Sequence, residues 1–375
     1  MWDYFQNEVR FMSDMLDYIA WRGDLPFSVS PFNEIDNIIF SMLSFIDFSG
    51  AVSRHPSANT VTLSDCLRFN RKRYPNGENF GAVIPKENND LFEAAAKSKR
   101  FSDVYVSSFR DEIDEDKVKQ FAAVTFILPD NSIYVAFRGT DDTLVGWRED
   151  FAMSYDFPTT SQRSAAEYLA EAASYHSGQI RTGGHSKGGN LSVYASAFAP
   201  ADVQNRIITS YNNDGPGFMH DVISSDGYKA LVPKIYTIVP QSSLVGMLLE
   251  NTANLHVVES SGSNGVLQHN PYTWSVRGTG FVHLDSLSKQ GKKHDAVLDG
   301  WIMNSTAEER RKLTDTIFTI LESSGAKTLS DISGDMIKNA GSMIKTIAGL
   351  DKETRANATM FIRRFGEALR AEKQG

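Results

Sequence analysis

The chain has 375 residues, of which 41% are hydrophobic and 22% are charged. This composition is typical of a globular protein and excludes a wholly disordered chain. The formal net charge is −8, so the chain lacks the broad positive field of a general nucleic-acid-binding protein. The single cysteine, Cys66, excludes an intrachain disulfide framework and a cysteine-rich zinc site, and we expect it to be a small buried residue.

Targeting signals are not evident in the sequence. No stretch of about 18 apolar residues is present, so no transmembrane segment is predicted. The N-terminal residues include Asp3 and Glu8 and lack the apolar core of a secretory signal. We therefore expect a cytoplasmic protein.

The first hundred residues are predicted to form helices and loops. Apolar residues recur at helical spacing over 1–22, Gly23 is a natural helix stop, and the apolar run 35–48 is typical of a buried helix. The polar residues 50–90 predict loops with short helices, and 90–99 predict a further helix.

A change of pattern after residue 100 predicts a sheet. Apolar runs predict strands at 104–109, 121–128 and 132–137, and the turn between the last two makes them a hairpin. Helices and strands then alternate, which favours a mostly parallel sheet with helices on both faces. The alternating elements are a helix at 163–176, a strand at 180–182, a helix after Gly188, and strands at 207–211 and 234–239.

The C-terminal residues 283–375 contain no convincing strand. Ser305 and Glu308 have the spacing of a capping box, which predicts the start of a helix. Apolar residues repeat at helical spacing between 336 and 347, and 351–372 predict another helix.

One motif carries chemistry. Gly184, Ser186 and Gly188 match the G-x-S-x-G nucleophile elbow, in which a serine stands at the apex of a sharp strand-to-helix turn between small residues. A short apolar strand precedes the motif and an apolar helix follows it, whereas a phosphate-binding loop is excluded because no GxxxxGK[ST] is present. Ser186 is therefore the candidate nucleophile. The backbone N–H of Lys187, near the positive end of the helix, is a candidate oxyanion donor.

A serine nucleophile needs a base and a group that orients the base, and with this elbow the chain order is serine, acid, histidine. His269 lies in a segment flanked by aromatic residues, where a loop can project its imidazole over the sheet. Asp214 directly follows the strand 207–211, so it is the candidate acid, while a turn-forming aspartate is the alternative. His185 is expected to point away from the elbow in a structural role.

A second oxyanion donor is expected from a loop after an earlier strand. Gly139 and Thr140 directly follow the strand 132–137. Gly139 lets the loop bend, and Thr140 can donate through both its backbone N–H and its hydroxyl. A plain strand-ending turn is the alternative.

These segments resemble the class 3, fungal-type lipases over about residues 100–285. The similar segments are their oxyanion region, elbow and histidine segment, here Val135 to Thr140 with Trp147 and Asp150, Gly184 to Gly189, and His269-x-x-Tyr272. The whole chain, including Asp17 to Asp24, resembles a bacterial family of lipase-like α/β-hydrolases.

The resemblance implies that Ser186 is the nucleophile, that His269 is the base, and that Thr140 and Lys187 supply the oxyanion donors. The chain departs from the pattern at the acid. Class 3 lipases usually carry it after the following strand, where this chain has Val239 to Ser243 without a carboxylate. Either Asp214 has taken that role from the preceding strand, or the triad is weak.

We therefore expect an α/β-hydrolase core at 101–300, with an N-terminal helical and loop region at 1–100 packed on it and a C-terminal helical extension at 301–375. The expected reaction is hydrolysis of a lipid-like or otherwise apolar acyl ester through an acyl-enzyme, without a metal or organic cofactor. Apolar residues between Leu244 and Leu249 either wall an acyl pocket, act as a lid, or belong to the core. The alternatives are a non-catalytic binding or scaffolding protein on a hydrolase fold, and another acyl hydrolase such as a thioesterase or peptidase.

Overall fold

The computed structural model describes residues 13–251, 255–289, 291, 305–332, 345–350 and 355. Its helices are α1 (Met15–Arg22), α2 (Glu34–Leu43), α3 (Leu63–Arg73), α4 (Glu87–Lys97), α5 (Leu144–Ala152), α6 (Thr160–Tyr175), α7 (Lys187–Ala197), α8 (Ala201–Arg206), α9 (His220–Ile223), α10 (Asp226–Leu231) and α11 (Ala307–Glu322). Its strands are β1 (Val61–Thr62), β2 (Tyr105–Asp114), β3 (Lys119–Ile127), β4 (Ile133–Phe137), β5 (Ile180–His185), β6 (Ile207–Asn213), β7 (Ile235–Pro240), β8 (Leu255–Val258), β9 (Val276–Arg277), β10 (Gly280–Phe281) and β11 (His283–Leu284).

In the described part of the chain, one sheet has nine strands, in the order β1 to β8 followed by β11. Strands β4 to β8 are parallel to one another, whereas β1 to β4 pair antiparallel and β11 pairs antiparallel with β8. The antiparallel pair of β3 and β4 confirms the predicted hairpin. Because the parallel strands end at one edge of the sheet, the loops that follow β4, β5, β6 and β7 meet there.

Alternating side chains along β3 and β4 build two cores. Val124 and Tyr134 belong to the core shared with helices α1 to α4, whereas Phe121 and Val135 belong to the core shared with α6, α7 and α10. Successive side chains of a strand point to opposite faces, so these helices cover both faces of the sheet. The predicted α/β-hydrolase fold is confirmed.

Several local features differ from the sequence predictions. Strand β8 was not predicted, and β11 lies in the region expected to lack strands; both are short and depend on pairing with each other and with β7. Helix α2 ends at Leu43, although buried residues continue to Phe48. Helix α11 is capped one residue later than predicted, because the side chain of Thr306 accepts from the N–H of Glu309 and the Glu309 carboxylate accepts from the N–H of Thr306.

Some predictions are not addressed by the described residues. The helical pattern predicted for 336–347 and the helix predicted for 351–372 lie almost entirely outside them, as does the first half of the pattern at 1–22. The division into 1–100, 101–300 and 301–375 stays a prediction. Cys66 is buried, as expected, and no described helix is long and apolar enough to cross a membrane.

Candidate active site

Ser186 stands between β5 and α7, with φ 57° and ψ −131°. A positive φ is uncommon for a residue other than glycine, so the surrounding structure must hold it in place. The turn has no room for side chains at the flanking glycines. A Cβ on Gly184 would lie 2.3 Å from the carbonyl carbon of Gly188, and a Cβ on Gly188 would lie 2.1 Å from the carbonyl oxygen of Phe137. The local geometry is therefore that of a nucleophile elbow with a half-buried serine.

Asp214 and His269 meet at this end of the sheet. Asp214 directly follows β6 and is fully buried, whereas the side chain of His269 is 20% exposed and ends a short 3-10 turn. His269 Nδ1 lies 2.7 Å from Asp214 Oδ2, a distance typical of a charge-assisted hydrogen bond. Since the carboxylate holds Nδ1, the other ring nitrogen, Nε2, is the one available for proton transfer.

The segment after β7 supplies two more donors to the Asp214 carboxylate. The hydroxyl of Ser243 donates to Asp214 Oδ1 over 2.5 Å, and the backbone N–H of Gly246 donates to the same oxygen over 3.2 Å. A Cβ on Gly246 would lie 2.3 Å from that oxygen, so the close approach requires glycine. The segment after β7 therefore holds the carboxylate of a residue that follows the neighbouring strand, β6.

The loop after β4 lies against the elbow. A Cβ on Gly139 would lie 2.6 Å from the carbonyl oxygen of His185 and 3.4 Å from the Cβ of Ser186, so the next residue, Thr140, begins beside the nucleophile. The hydroxyl of Thr140 is 2.6 Å from Asp150 Oδ2. The hydroxyl predicted as an oxyanion donor is thus hydrogen-bonded to a carboxyl group.

Lys187 opens α7, so its backbone N–H has no acceptor within the helix. Its side chain is buried, and Nζ lies 2.8 Å from the carbonyl oxygen of Gln120, 3.4 Å from Glu149 Oε2 and 3.9 Å from Asp150 Oδ1. Burial raises the pKa of Asp150 to about 6, while the Lys187 cation and the Thr140 hydrogen bond oppose that rise. Two carboxyl groups therefore share one buried cation behind the oxyanion loop.

His185 lies against His269 and does not point away from the site. Their ring centroids are 4.5 Å apart, and His185 Nε2 lies 2.8 Å from the carbonyl oxygen of His269. Burial, together with the neighbouring His269, holds the pKa of His185 well below its usual range. This contact corrects the expectation that the His185 side chain points away from the site.

The structure thus brings Asp214 and His269 into contact, and it places the Thr140 loop and Lys187 directly beside Ser186. Sequence reasoning missed the contributions of Ser243, Gly246 and Glu149. Ser243 carries no local sequence signal for this contact, because it lies 29 positions from Asp214. Among the described residues, no group of three or more His, Cys, Asp or Glu side chains is arranged to hold a metal ion.

The chain is similar to two solved lipase structures and to one protein family. The fold is similar to that of M37 lipase, with 14% identity over 58% of this chain and 70% of that chain and a TM-score of 0.37. It is also similar to Rhizomucor miehei lipase in its propeptide complex, with 12% identity over 60% of this chain and 67% of that chain and a TM-score of 0.36. No curated protein matches the chain. Residues 95–319, more than half of the chain, match the family model described as Mbeg1-like. The chain therefore belongs to the Mbeg1-like family, a lipase-like family.

Proposed function

We propose that this protein is a serine ester hydrolase with Ser186, His269 and Asp214 as its catalytic triad. The observation that carries the proposal is the 2.7 Å contact between His269 Nδ1 and Asp214 Oδ2 at the sheet edge where Ser186 occupies a strained elbow. A buried carboxylate on one imidazole nitrogen and a serine at such an elbow are the parts that acyl transfer needs.

In the proposed reaction, the Ser186 hydroxyl attacks the ester carbonyl carbon while His269 Nε2 takes its proton. The negative charge that develops on the carbonyl oxygen is stabilised by the backbone N–H groups of Lys187 and Thr140. His269 then returns the proton to the departing alcohol, which leaves an acyl group on Ser186. Water, deprotonated by His269, attacks the acyl-enzyme; the bond between the acyl carbon and the Ser186 oxygen then breaks, His269 gives its proton to that oxygen, and the carboxylic acid leaves. Asp214 keeps the tautomer of His269 and stabilises its charged form.

We infer an apolar acyl ester as the substrate. The segment that holds Asp214 also carries Leu244, Leu248 and Leu249, whose side chains are only partly buried. Apolar side chains beside a few converging polar groups are typical of small-molecule sites. Leu249 has a positive φ of 65°, so the end of this segment is conformationally constrained.

A fluorophosphonate probe tests the nucleophile. The full-length protein should be labelled once, at Ser186, and Ser186→Ala should remove both labelling and hydrolysis of p-nitrophenyl esters while the melting temperature changes little. The rate should rise with acyl length over a panel of esters. A folded wild-type protein that is not labelled would contradict the proposal and favour a non-catalytic binding protein. Faster turnover of thioesters or peptides than of esters would reassign the substrate class.

A further inference from the structure

The 3-10 turn that carries His269 is held by two ring N–H groups on consecutive carbonyl oxygens. Trp274 Nε1 donates to the carbonyl oxygen of Gln268 over 2.8 Å, and His185 Nε2 lies 2.8 Å from the carbonyl oxygen of His269 itself. Trp274 and His185 also contact each other, with ring centroids 6.2 Å apart. Both side chains are buried, so the two peptide groups that flank the Cα of His269 are attached to the interior of the protein.

The hydrogen bond to the His269 carbonyl determines which ring nitrogen of His185 carries a proton. A carbonyl oxygen only accepts, so Nε2 of His185 must carry a hydrogen. Burial and the neighbouring His269 disfavour a second proton on the ring. His185 is therefore the neutral tautomer with its proton on Nε2.

A neutral His185 ring allows the neighbouring base, His269, to become positively charged during the reaction. The His185 ring lies 4.5 Å from the His269 ring at an interplanar angle of 36°, so a second positive charge there would oppose protonation of His269. The neutral ring avoids that repulsion. It also restricts the space in which the His269 ring can tilt, in addition to the Asp214 hydrogen bond.

We propose that His185 is a positioning residue for His269. Its Nε2–H holds the backbone carbonyl of the base and its ring packs on the imidazole, which fixes the position of the His269 ring. The role rests on the proposed function, and it assigns to the residue before the nucleophile a part in aligning the base. Displacing a catalytic group by about 1 Å can slow a reaction by about 100-fold, so a contact of this kind is measurable in the chemical step.

Two variants measure separately the contribution of the His185 ring and that of its hydrogen bond. His185→Phe keeps an aromatic ring and removes the N–H, whereas His185→Gln keeps an amide N–H and removes the ring. We expect His185→Phe to slow fluorophosphonate labelling of Ser186 by about 10- to 100-fold and to lower kcat for p-nitrophenyl butyrate with little change in KM. His185→Gln should recover part of the loss.

The matched control is His176→Gln. The side chain of His176 is partly buried and remote from the proposed triad, and it also makes a hydrogen bond through Nε2, 2.9 Å from the hydroxyl of Ser107. It should label at the wild-type rate.

Nuclear magnetic resonance of the ¹⁵N-histidine-labelled wild-type protein supplies a readout that needs no variant. His185 should carry its proton on Nε2 and stay neutral between about pH 5 and pH 8, the range in which an unperturbed histidine changes charge. In folded His185→Phe, the low-field proton between His269 and Asp214 should exchange faster than in the wild type. A His185 protonated on Nδ1 alone, or charged at neutral pH, would overturn the inference even if the variants fail to fold.

The remaining outcomes separate this inference from the proposed function. If the wild type is labelled and folded His185→Phe is labelled at the same rate, the positioning role is wrong while the serine hydrolase proposal stands. If the labelling rate of each of the three variants decreases only as its melting temperature decreases, His185 is a packing residue and the inference is wrong. If the folded wild type is not labelled at all, the proposed function fails and the positioning role fails with it.

Discussion

Two residues of the candidate site have an uncommon backbone conformation. Among the described residues, five other than glycine have a positive φ, and two of these are Ser186 and Asp214, at 57° and 51°. Such conformations persist only where the surroundings impose them, and they cluster at functional sites. For Asp214 the surroundings are visible: its N–H donates to the carbonyl oxygen of Ile238 over 2.8 Å, and Ser243 holds its carboxylate. Strand β7 and the segment after it therefore set both the backbone and the side chain of the candidate acid.

Asp214→Asn tests the assignment of the acid. The amide removes the negative charge that holds the tautomer of His269 and stabilises its charged form, so we expect ester turnover to fall by about 10⁴-fold. The elbow does not depend on that charge, so the fold should be retained by circular dichroism. Asp221→Asn is the control, because Asp221 is exposed, and it should hydrolyse p-nitrophenyl esters at the wild-type rate. Near-normal turnover by Asp214→Asn would show that another group orients His269.

The sequence singles out Ser186, His269 and Asp214 because a local motif and the order of residues along the chain suffice to select them. It does not reveal the partners that hold these residues. His185 and His269 are 84 positions apart, and Ser243 and Asp214 are 29 positions apart. Such contacts depend on the register of β5, β6 and β7 and on the path of the connecting loops, which local patterns do not specify.

At the level of elements, α5 is locked in place by a buried carboxylate. Glu149 accepts hydrogen bonds from the N–H and the hydroxyl of Ser161 over 2.7 and 2.6 Å, and from the N–H of Gln120 over 3.0 Å. These bonds join α5 to the start of α6 and to β3. The helix was not predicted, because Gly146 and several charged residues interrupt its apolar spacing. The residue after Glu149, Asp150, accepts a hydrogen bond from the hydroxyl of Thr140, so α5 is also attached to the loop that is proposed to bind the oxyanion.

The raised pKa of Asp150 predicts a pH-dependent stability. Its pKa rises from 3.8 to about 6 on folding, so the unfolded chain ionises first as the pH increases. Asp150 therefore makes its full contribution to the free energy of unfolding below about pH 4, and this contribution is lost as the pH rises through about 6. The loss amounts to about 2 to 3 kcal/mol, at about 1.4 kcal/mol per pKa unit. Asp150→Asn cannot ionise. Its free energy of unfolding, measured with urea, should therefore increase relative to that of the wild type as the pH rises from 4 to 7.

The matched control for this prediction is Asp116→Asn, on an exposed turn. The difference in free energy of unfolding between Asp116→Asn and the wild type should stay constant over the same pH range. An equally constant difference for Asp150→Asn would mean that Asp150 is not desolvated in the folded protein, and the arrangement of Lys187, Asp150 and Thr140 would need revision.

At the level of the whole molecule, the C-terminal segment reaches the loop that follows Thr140. The N–H of Leu144 donates to the carbonyl oxygen of Lys327, and the N–H of Leu329 donates to the carbonyl oxygen of Asp142, each over 2.9 Å. The Asp142 carboxylate accepts from the N–H of Ala82 over 3.1 Å and from that of Ser330 over 3.2 Å. Segments far apart in sequence therefore converge two residues beyond Thr140, although the sequence predicted only that the C-terminal helices extend the core.

Phe318→Ala tests whether this packing supports the site. Phe318 on α11 is 2% exposed and meets Phe151 of α5 edge to face, with ring centroids 5.8 Å apart. Truncation to alanine leaves a cavity and should cost about 3 to 5 kcal/mol of stability. Because Asp150 lies on the helix that loses this support, backbone amides of 144–152 should exchange hydrogen faster, and ester turnover should fall well below its wild-type value at a temperature where the variant is folded. Thr319→Ala, one residue away on the exposed side of α11, should change neither property. If Phe318→Ala is less stable but leaves exchange in α5 and turnover unaltered, the C-terminal helix stabilises the fold without shaping the oxyanion loop.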